Sequence, residues 1–210
     1  MLGCYSGRSY ITLNKIKKVS INTADRFVLA NKLWGYDCYN TDVYAQIAYD
    51  ESGFNVRFIV EESNPLIEKT HHFEGVCEDS CVEFFVNFTP EWSDKYINFE
   101  VNATGIMFAA YGSSRYDGVQ LELEDIQGLD IKAEIKDGYW TVSYRISFDL
   151  IRKYYPRFDI EHCDYILGNL YKCGDKTAYR HYLSYFKVET EKPDFHRPEY
   201  FDKFMVEILK

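Results

Sequence analysis

Acidic and amide side chains alternate with apolar ones in two neighbouring segments, residues 82–88 and 96–103. Successive side chains of a β-strand point to opposite faces, so each segment is predicted to have one apolar and one polar face. If the two strands form a hairpin, their apolar faces must match, and we predict the register that pairs Phe84 with Val101. This register gives three further pairs on the polar face: Glu83 with Asn102, Phe85 with Glu100, and Asn87 with Asn98.

The polar face of this hairpin has the chemistry that recognises a sugar. Carboxylates and carboxamides form hydrogen bonds with hydroxyl groups, and aromatic rings stack on the C–H face of a pyranose. The competing interpretation is a solvated sheet face that binds nothing, although asparagine is a poor strand former that strand propensity would not select. The pattern alone leaves both interpretations open.

The rest of the chain is also predicted to be β-structure. Period-two alternation occurs in four further segments, residues 54–61, 119–124, 131–136 and 140–148. Asp137-Gly138 separates the last two segments and predicts a hairpin turn. Residues 149–155 are predicted to form a short helix that ends before Pro156. No repeat or linker is found, so we expect one domain over residues 1–210, an all-β antiparallel sandwich with one or two short helical turns.

Composition limits the classes of partner. The chain has 210 residues and a formal net charge of -9 without a block of basic residues, so we expect no nucleic acid and no membrane as partner. Residues 1–18 contain no apolar run typical of a signal peptide, and no later stretch is long enough to span a bilayer. We therefore expect a soluble, cytoplasmic protein unless a leader has been removed. Aromatic residues make up 18% of the chain, more than a core alone requires.

The six cysteines match no disulfide framework, and a chain of this length does not need one, so most are expected to be reduced thiols. They are Cys4, Cys38, Cys77, Cys81, Cys163 and Cys173. A zinc site at Cys77 and Cys81 with the neighbouring His71-His72 pair is an alternative. Zinc-binding pairs usually stand closer together and in repeated sets, so no metal ligand is assigned.

Several segments together resemble the carbohydrate-binding module family 9-like domains, a branch of the DOMON-like β-sandwich superfamily. The similar segments are residues 79–86, 96–105, 140–148, 168–175 and 193–201, and the resemblance extends over about residues 30–210. It implies a β-sandwich that binds sugars, in the founding members at the chain ends of plant polysaccharides. It also implies a role in polysaccharide catabolism and association with glycoside hydrolases.

In the founding modules two tryptophan rings clamp the sugar, and a Glu, an Arg and Asn side chains form hydrogen bonds with it. By resemblance, Glu83 matches the Glu and Asn102 one Asn. The position of the Arg is occupied by Glu100, and the first tryptophan position falls near Cys77. The family also contains structural calcium sites, so a calcium ion stays open, although no Asp-rich loop here is dense enough to assign one. We expect no other cofactor.

Two tyrosines, Tyr171 and Tyr185, are the candidates to replace the second clamping ring. Lys172 stands at a predicted strand end, where loops commonly carry function. The candidate carbohydrate contacts are therefore Glu83, Asn98, Glu100, Asn102, Asn169, Tyr171, Lys172 and Tyr185. Segment 193–201 is expected to lie over a sheet end, where His196 and Arg197 either cap backbone carbonyl groups or reach the ligand. Of the other aromatic and histidine residues, Trp34 and Trp140 are assigned to the core and His181 to a structural role. Trp92 is assigned to an exposed loop, where it is an open candidate for a sugar-binding platform.

Two other functions are weighed against carbohydrate binding. Glu83 and Glu100 could be the carboxylate pair of a glycoside hydrolase, but nothing in the sequence indicates that the pKa of either is raised. A haem-binding electron-transfer domain would need an axial Met/His or His/His pair, and Met1, Met107 and Met205 stand in no such motif. We therefore expect a binding domain, with no catalytic residue assigned.

Overall fold

The computed structural model describes residues 14–36 and 41–208 and is built mainly from β-strands. The strands in these residues are β1 Lys15–Lys18, β2 Arg26–Val28, β3 Asn31–Lys32, β4 Val43–Tyr49, β5 Gly53–Val60, β6 Cys81–Asn87, β7 Tyr96–Asn102, β8 Met107–Gly112, β9 Val119–Gln120, β10 Lys132–Lys136, β11 Tyr139–Ser147, β12 Tyr165–Cys173, β13 Tyr182–Ser184 and β14 Asp202–Glu207. The α-helices are α1 Leu123–Gln127 and α2 Phe148–Tyr154. Short 3-10 turns occur at Ile21–Thr23, Val76–Glu78, Ile160–His162 and Pro198–Tyr200. The all-β expectation is confirmed.

The strands form one curled sheet in the order β10-β11-β5-β4-β1-β14-β12-β6-β7-β8-β9. Strand β1 joins the two halves of the sheet because it pairs in parallel with β4 on one side and β14 on the other. The other pairings are antiparallel, including those of β2 with β4 and of β13 with β12 and β3. The halves face each other, since Phe99 of β7 lies 5.8 Å from Tyr144 of β11 between ring centroids. The curled sheet is therefore a sandwich.

The apolar faces predicted from the alternation form the core of this sandwich. Phe54, Val56 and Phe58 of β5 are fully buried, and so are Phe84 of β6 and Trp140 of β11. Burying each of these large side chains contributes on the order of 2 kcal/mol through the apolar area removed from water. The assignment of Trp140 to the core is confirmed.

The predicted register between β6 and β7 is wrong by two residues. Phe84 pairs with Phe99, and Glu83 lies directly opposite Glu100. A shift of two residues keeps every side chain on its own face, so the alternation that predicts the faces cannot distinguish the two registers. The consequence is a pair of neighbouring carboxylates, where the predicted register would have separated them.

Two local predictions are confirmed and one is wrong. Strands β10 and β11 form a hairpin closed by Asp137-Gly138, with Gly138 at a φ of 83°, a backbone conformation that glycine adopts without strain. Helix α2 begins after Ser147, whose hydroxyl accepts a hydrogen bond from the Leu150 amide, and it ends before Pro156. The strand predicted over residues 119–124 is only two residues long. Helix α1 follows it because Glu122 and Asp125 form a reciprocal capping box.

The outer face of β6, β7 and β12 is buried and not solvated. A second apolar cluster covers it, formed by side chains from these strands, from β13 and from the loops that follow β3 and β13, including Leu33, Phe85, Tyr171, Tyr182 and Phe195. This half of the sandwich is therefore buried on both faces, and its polar residues lie beneath a protein layer. No helix in the described parts of the chain is both long and apolar enough to cross a membrane.

Candidate functional site

A pocket of about 190 Å³ opens through the layer that covers β6 and β7. Glu83, Phe85 and Glu100 contribute to its wall from the two strands, because odd-numbered residues of β6 and even-numbered residues of β7 share the outer face. Trp34 and residues 193–196 contribute from loops. The pocket therefore combines two carboxylates with an aromatic surface.

The two carboxylates are buried and held by neighbours within the pocket wall. The Cys173 thiol donates a hydrogen bond to Glu83 Oε1 at 2.9 Å, and Asn98 Nδ2 donates to Glu100 Oε1 at 2.8 Å. Burial raises the pKa of Glu83 well above its ordinary value, and repulsion from Glu100 raises it further. Burial raises the pKa of Glu100 to about 7, against the opposing effects of the Asn98 hydrogen bond and of Arg115. Near neutral pH the pair therefore carries protons as well as charge, and it can both donate hydrogen bonds and accept them.

The aromatic wall of the pocket is formed by Trp34, Phe85 and Phe195. Phe195 stacks on Tyr171 with ring centroids 4.1 Å apart and an interplanar angle of 12°, and Tyr171 is fully buried beneath it. Trp34 packs against Phe195 at 5.4 Å, and its indole N–H donates to the Thr190 carbonyl at 2.9 Å. Trp34 is thus half-buried at the pocket, and its predicted assignment to the core is wrong.

Charged side chains complete the pocket near residues 193–196. Arg115 forms an ion pair with Asp194, with 2.8 Å between the guanidinium nitrogen and the carboxylate oxygen. This pair connects the loop after β8 to the segment. The Tyr96 hydroxyl lies 2.8 Å from His196 Nδ1, and His196 Nε2 lies 3.9 Å from Glu100. Burial, together with the nearby positive charge of Arg115, lowers the pKa of His196 to about 4, so this histidine is neutral near neutral pH.

Four of the eight predicted sugar contacts lie in the pocket wall or support it, and four lie elsewhere. Glu83 and Glu100 line the pocket, Asn98 holds Glu100, and Tyr171 supports Phe195 from below. The other four, Asn102, Asn169, Lys172 and Tyr185, do not line it. All eight stay predictions, and the last four, which lie outside the pocket, are far less suited to the role.

The two asparagines among these four hold backbone segments. Asn102 donates to the Asp79 carboxylate at 2.9 Å and accepts from the amides of Thr104 and Ile106, which organises the β7–β8 turn. Asn169 donates to the Phe186 carbonyl and accepts from the Phe186 amide, both at 2.9 Å.

Lys172 and Tyr185 face the sandwich core. Lys172 alternates with Tyr171 along β12 and therefore points to the opposite face, where its ammonium lies 2.7 Å from His181 Nε2 and 3.5 Å from Glu62. Tyr185 packs edge-on against Phe27 at 5.4 Å. His181 is fully buried, which agrees with its structural assignment.

Sequence analysis missed Arg115 and Phe195 and reached His196 only as one of two alternatives. Arg115 lies in a turn in which Asp117 accepts hydrogen bonds from the amides of Ser113 and Ser114, and turns carry no periodic signal. Trp92 is 64% exposed as predicted, with the Arg157 guanidinium 4.3 Å from its ring centroid. Trp92 does not line this pocket.

The described cysteines, Cys77, Cys81, Cys163 and Cys173, are free thiols; Cys4 and Cys38 lie outside the described residues. Within the described residues, one group of three or more His, Cys, Asp or Glu side chains is close enough to share an ion, and it consists of Cys81, Glu83 and Cys173. It contains neither histidine of the His71-His72 alternative. Calcium takes six to eight oxygen ligands, so two thiols and one carboxylate do not fit the calcium expectation.

The sequence matches carbohydrate-binding family 9 over residues 14–206. A protein from Bacteroides uniformis to which a carbohydrate-binding role is assigned has a similar structure, with a TM-score of 0.78 and 25% identity over 89% of this chain and 88% of that one. A family 9 module from Caldicellulosiruptor kristjanssonii in complex with glucose has a TM-score of 0.66 and 11% identity over 93% and 96% of the two chains. The same family and organism provide a complex with cellotriose, with a TM-score of 0.63 and 11% identity over 93% and 94%. A comparison with curated proteins gives no match.

Proposed function

Because the chain belongs to carbohydrate-binding family 9, we propose that it is a non-catalytic carbohydrate-binding domain whose sugar site is the pocket over β6 and β7. The observation that carries this proposal is the adjacent buried pair of Glu83 and Glu100 beneath an aromatic wall. A pair that both donates and accepts hydrogen bonds matches hydroxyl groups, which do the same. Trp34 and Phe195 offer ring surface to the C–H face of a sugar.

The proposed ligand is a single sugar ring or the terminal ring of a longer chain. A pocket of about 190 Å³ is smaller than the roughly 300–1,000 Å³ that encloses a drug-sized ligand. An oligosaccharide would therefore place one ring inside and extend outward. Glucose and cellotriose in the family 9 complexes support a glucose-type ring as the first ligand to test. We place the domain in polysaccharide catabolism, beside glycoside hydrolases.

Catalysis by the same carboxylates is the alternative that the structure makes worth testing. The sequence indicates no feature that raises the pKa of either carboxyl group, but in the folded chain burial raises both. A glycosidase needs its carboxylates on the two sides of the scissile bond, about 5–10 Å apart. Here both project from adjacent strands into one wall of the pocket, so we propose that they bind without cleaving. Incubation with xylan, cellulose and aryl glycosides should release no reducing sugar, and release that Glu100→Gln abolishes would establish an enzyme.

A glycan array followed by calorimetry tests the site. We expect Trp34→Phe, which keeps a ring but reduces its surface, to weaken binding of the best array ligand, and Trp34→Ala to weaken it further. Trp92→Ala is the matched control, since it removes an exposed tryptophan outside the pocket. Loss of binding in the control but not in the Trp34 variants would move the site to the surface around Trp92. Absence of any array ligand would contradict the carbohydrate-binding proposal, and a red protein with haem absorption would favour electron transfer.

A further inference from the structure

Three side chains of types that bind metal ions, Cys81, Glu83 and Cys173, lie close together, and two of them, Glu83 and Cys173, line the pocket. Cys81 of β6 lies opposite Cys173 of β12 in the sheet, and Glu83 follows Cys81 by two residues, so all three project from the outer face. One ligand atom from each lies within 4.8 Å of those of the other two. In tetrahedral zinc sites, bond lengths of about 2.3 Å to sulfur and about 2.0 Å to oxygen place neighbouring ligand atoms roughly 3–4 Å apart. The three ligand atoms are thus already gathered at close to the spacing that a zinc ion requires.

The surroundings favour a cation at this position. Four carboxylates, Glu83, Glu100, Asp175 and Asp194, line the pocket with two guanidinium groups, and one of these, Arg115, is bound to Asp194. Glu83, Cys81 and Cys173 are almost completely buried, and the contact between Glu83 and the Cys173 thiol already positions two of the three ligands.

We propose that Cys81, Cys173 and Glu83 form a binding site for a thiophilic divalent cation, Zn²⁺, with the fourth coordination position open to the pocket. Two sulfur–metal bonds and one oxygen–metal bond form as water ligands leave the hydrated ion. The two thiol protons, with that of Glu83 where it is protonated, pass to solvent. Nothing is oxidised or reduced. Two thiolates and a carboxylate suit zinc. They do not suit Ca²⁺ or Mg²⁺, because these ions prefer oxygen ligands alone. This proposal does not depend on which sugar the domain binds.

Titration of the reduced protein with Co²⁺, a spectroscopic substitute for Zn²⁺, tests the site. The parent for this experiment carries Cys4→Ser and Cys38→Ser, so that the two cysteines outside the described residues contribute no signal. We expect one Co²⁺ per chain, with sulfur-to-cobalt charge-transfer absorption, and displacement by Zn²⁺ with loss of that band. Cys81→Ala and Cys173→Ala should each weaken Co²⁺ binding at least about tenfold. Removing a residue that only holds a metal ligand in place already lowers metal affinity about 10–100-fold, and these variants remove a ligand itself.

Cys163→Ala is the matched control, because Cys163 is also a buried free thiol but packs with the main core. We expect it to bind Co²⁺ like the parent. Circular dichroism and thermal unfolding check that the variants fold, and Cys173→Ser replaces Cys173→Ala if the latter does not. The proposal is overturned if the reduced parent binds no Co²⁺, if binding produces no charge-transfer band, or if the band survives in folded variants of both Cys81 and Cys173.

Discussion

At the scale of single residues, Glu100 is the most informative position. It lies directly opposite Glu83 on the neighbouring strand, and it accepts a hydrogen bond from Asn98. Burial raises its pKa to about 7. Glu100→Gln keeps the size of the side chain but removes its charge and one acceptor. A hydrogen bond to a charged group contributes about 1.5–3 kcal/mol, so sugar binding should weaken at least about tenfold. Calorimetry with the array ligand measures this.

Glu134→Gln is the control for that substitution, because Glu134 is an exposed carboxylate on β10 outside the pocket. It should bind the sugar like the parent. Equal affinities of the Glu100→Gln variant and the parent would mean that Glu100 does not contact the ligand, and the site would then have to be sought outside β7.

At the scale of elements, the segment 193–196 forms one side of the pocket wall from a loop. Its link to the β8 loop is the bond between Arg115 and Asp194, and Asp194 also accepts from the His196 amide at 3.1 Å. A partly exposed ion pair contributes only about 0.2–1 kcal/mol to folding stability, so Asp194→Ala should unfold almost like the parent. Sugar affinity should fall severalfold, because Phe195 and His196 lose their fixed position.

Glu134→Ala is the control, because it breaks an exposed ion pair with Lys136 outside the pocket, and it should change neither stability nor sugar affinity. Calorimetry and urea unfolding distinguish these outcomes, and unchanged affinity in Asp194→Ala would show that the segment needs no such anchor.

Close packing of β12 against β6 depends on Gly168. A Cβ atom there would lie 2.4 Å from the Phe85 carbonyl oxygen, a backbone atom that moves only if the strands separate. Gly168→Ala should therefore lower the free energy of unfolding by about 1–3 kcal/mol, the usual cost of overpacking. Gly75→Ala is the control, since nothing lies within 4 Å of its Cβ position and its φ of -72° suits alanine. Urea unfolding of both variants provides the test, and equal midpoints would contradict the close approach.

What could be predicted from sequence follows from these elements. Period-two alternation assigns Glu83 and Glu100 to the outer face because side-chain direction is a local property. The register is not local: a shift of two residues preserves the faces, and packing of the whole sheet decides between them. The same alternation places Lys172 on the face opposite Tyr171, so grouping both in one site contradicted the pattern. The pocket wall escaped prediction because Trp34, Arg115 and Phe195 come from distant loops without periodicity.

At the scale of the whole molecule, one buried polar cluster joins the two halves of the sandwich. Lys172 comes from β12 in one half, and Glu62 and Trp140 come from the other half, after β5 and in β11. The Glu62 carboxylate also accepts from the Ser80 hydroxyl at 2.8 Å. Burial acts to raise the pKa of Glu62, but Lys172 and the hydrogen bonds from Trp140 and Ser80 outweigh it, and the pKa lies below its ordinary value.

Removing the charge of Glu62 should destabilise the sandwich as a whole. Removing one partner of a buried ion pair lowers the free energy of unfolding by about 3–5 kcal/mol, because the remaining charge stays in the interior without its counterion. We expect Glu62→Gln to lower the free energy of unfolding by this amount. Urea unfolding should then show a lower midpoint with an unchanged slope, as for loss of stability without a change in the surface exposed. Glu61→Gln, at the exposed neighbouring position, should unfold like the parent.

The pH dependence of this difference identifies its cause. A carboxyl group whose folded pKa is lowered contributes stability that is present above its unfolded pKa of about 4.3 and is lost as the pH falls through the folded value. Acidification should therefore destabilise the parent more than Glu62→Gln, and their midpoints should converge below about pH 4. His181, whose pKa burial lowers to about 3 with a further contribution from Lys172, is present in both proteins and adds acid sensitivity to each. Midpoints that stay equally far apart from pH 7 to pH 3 would show that Glu62 acts through packing and not through its charge.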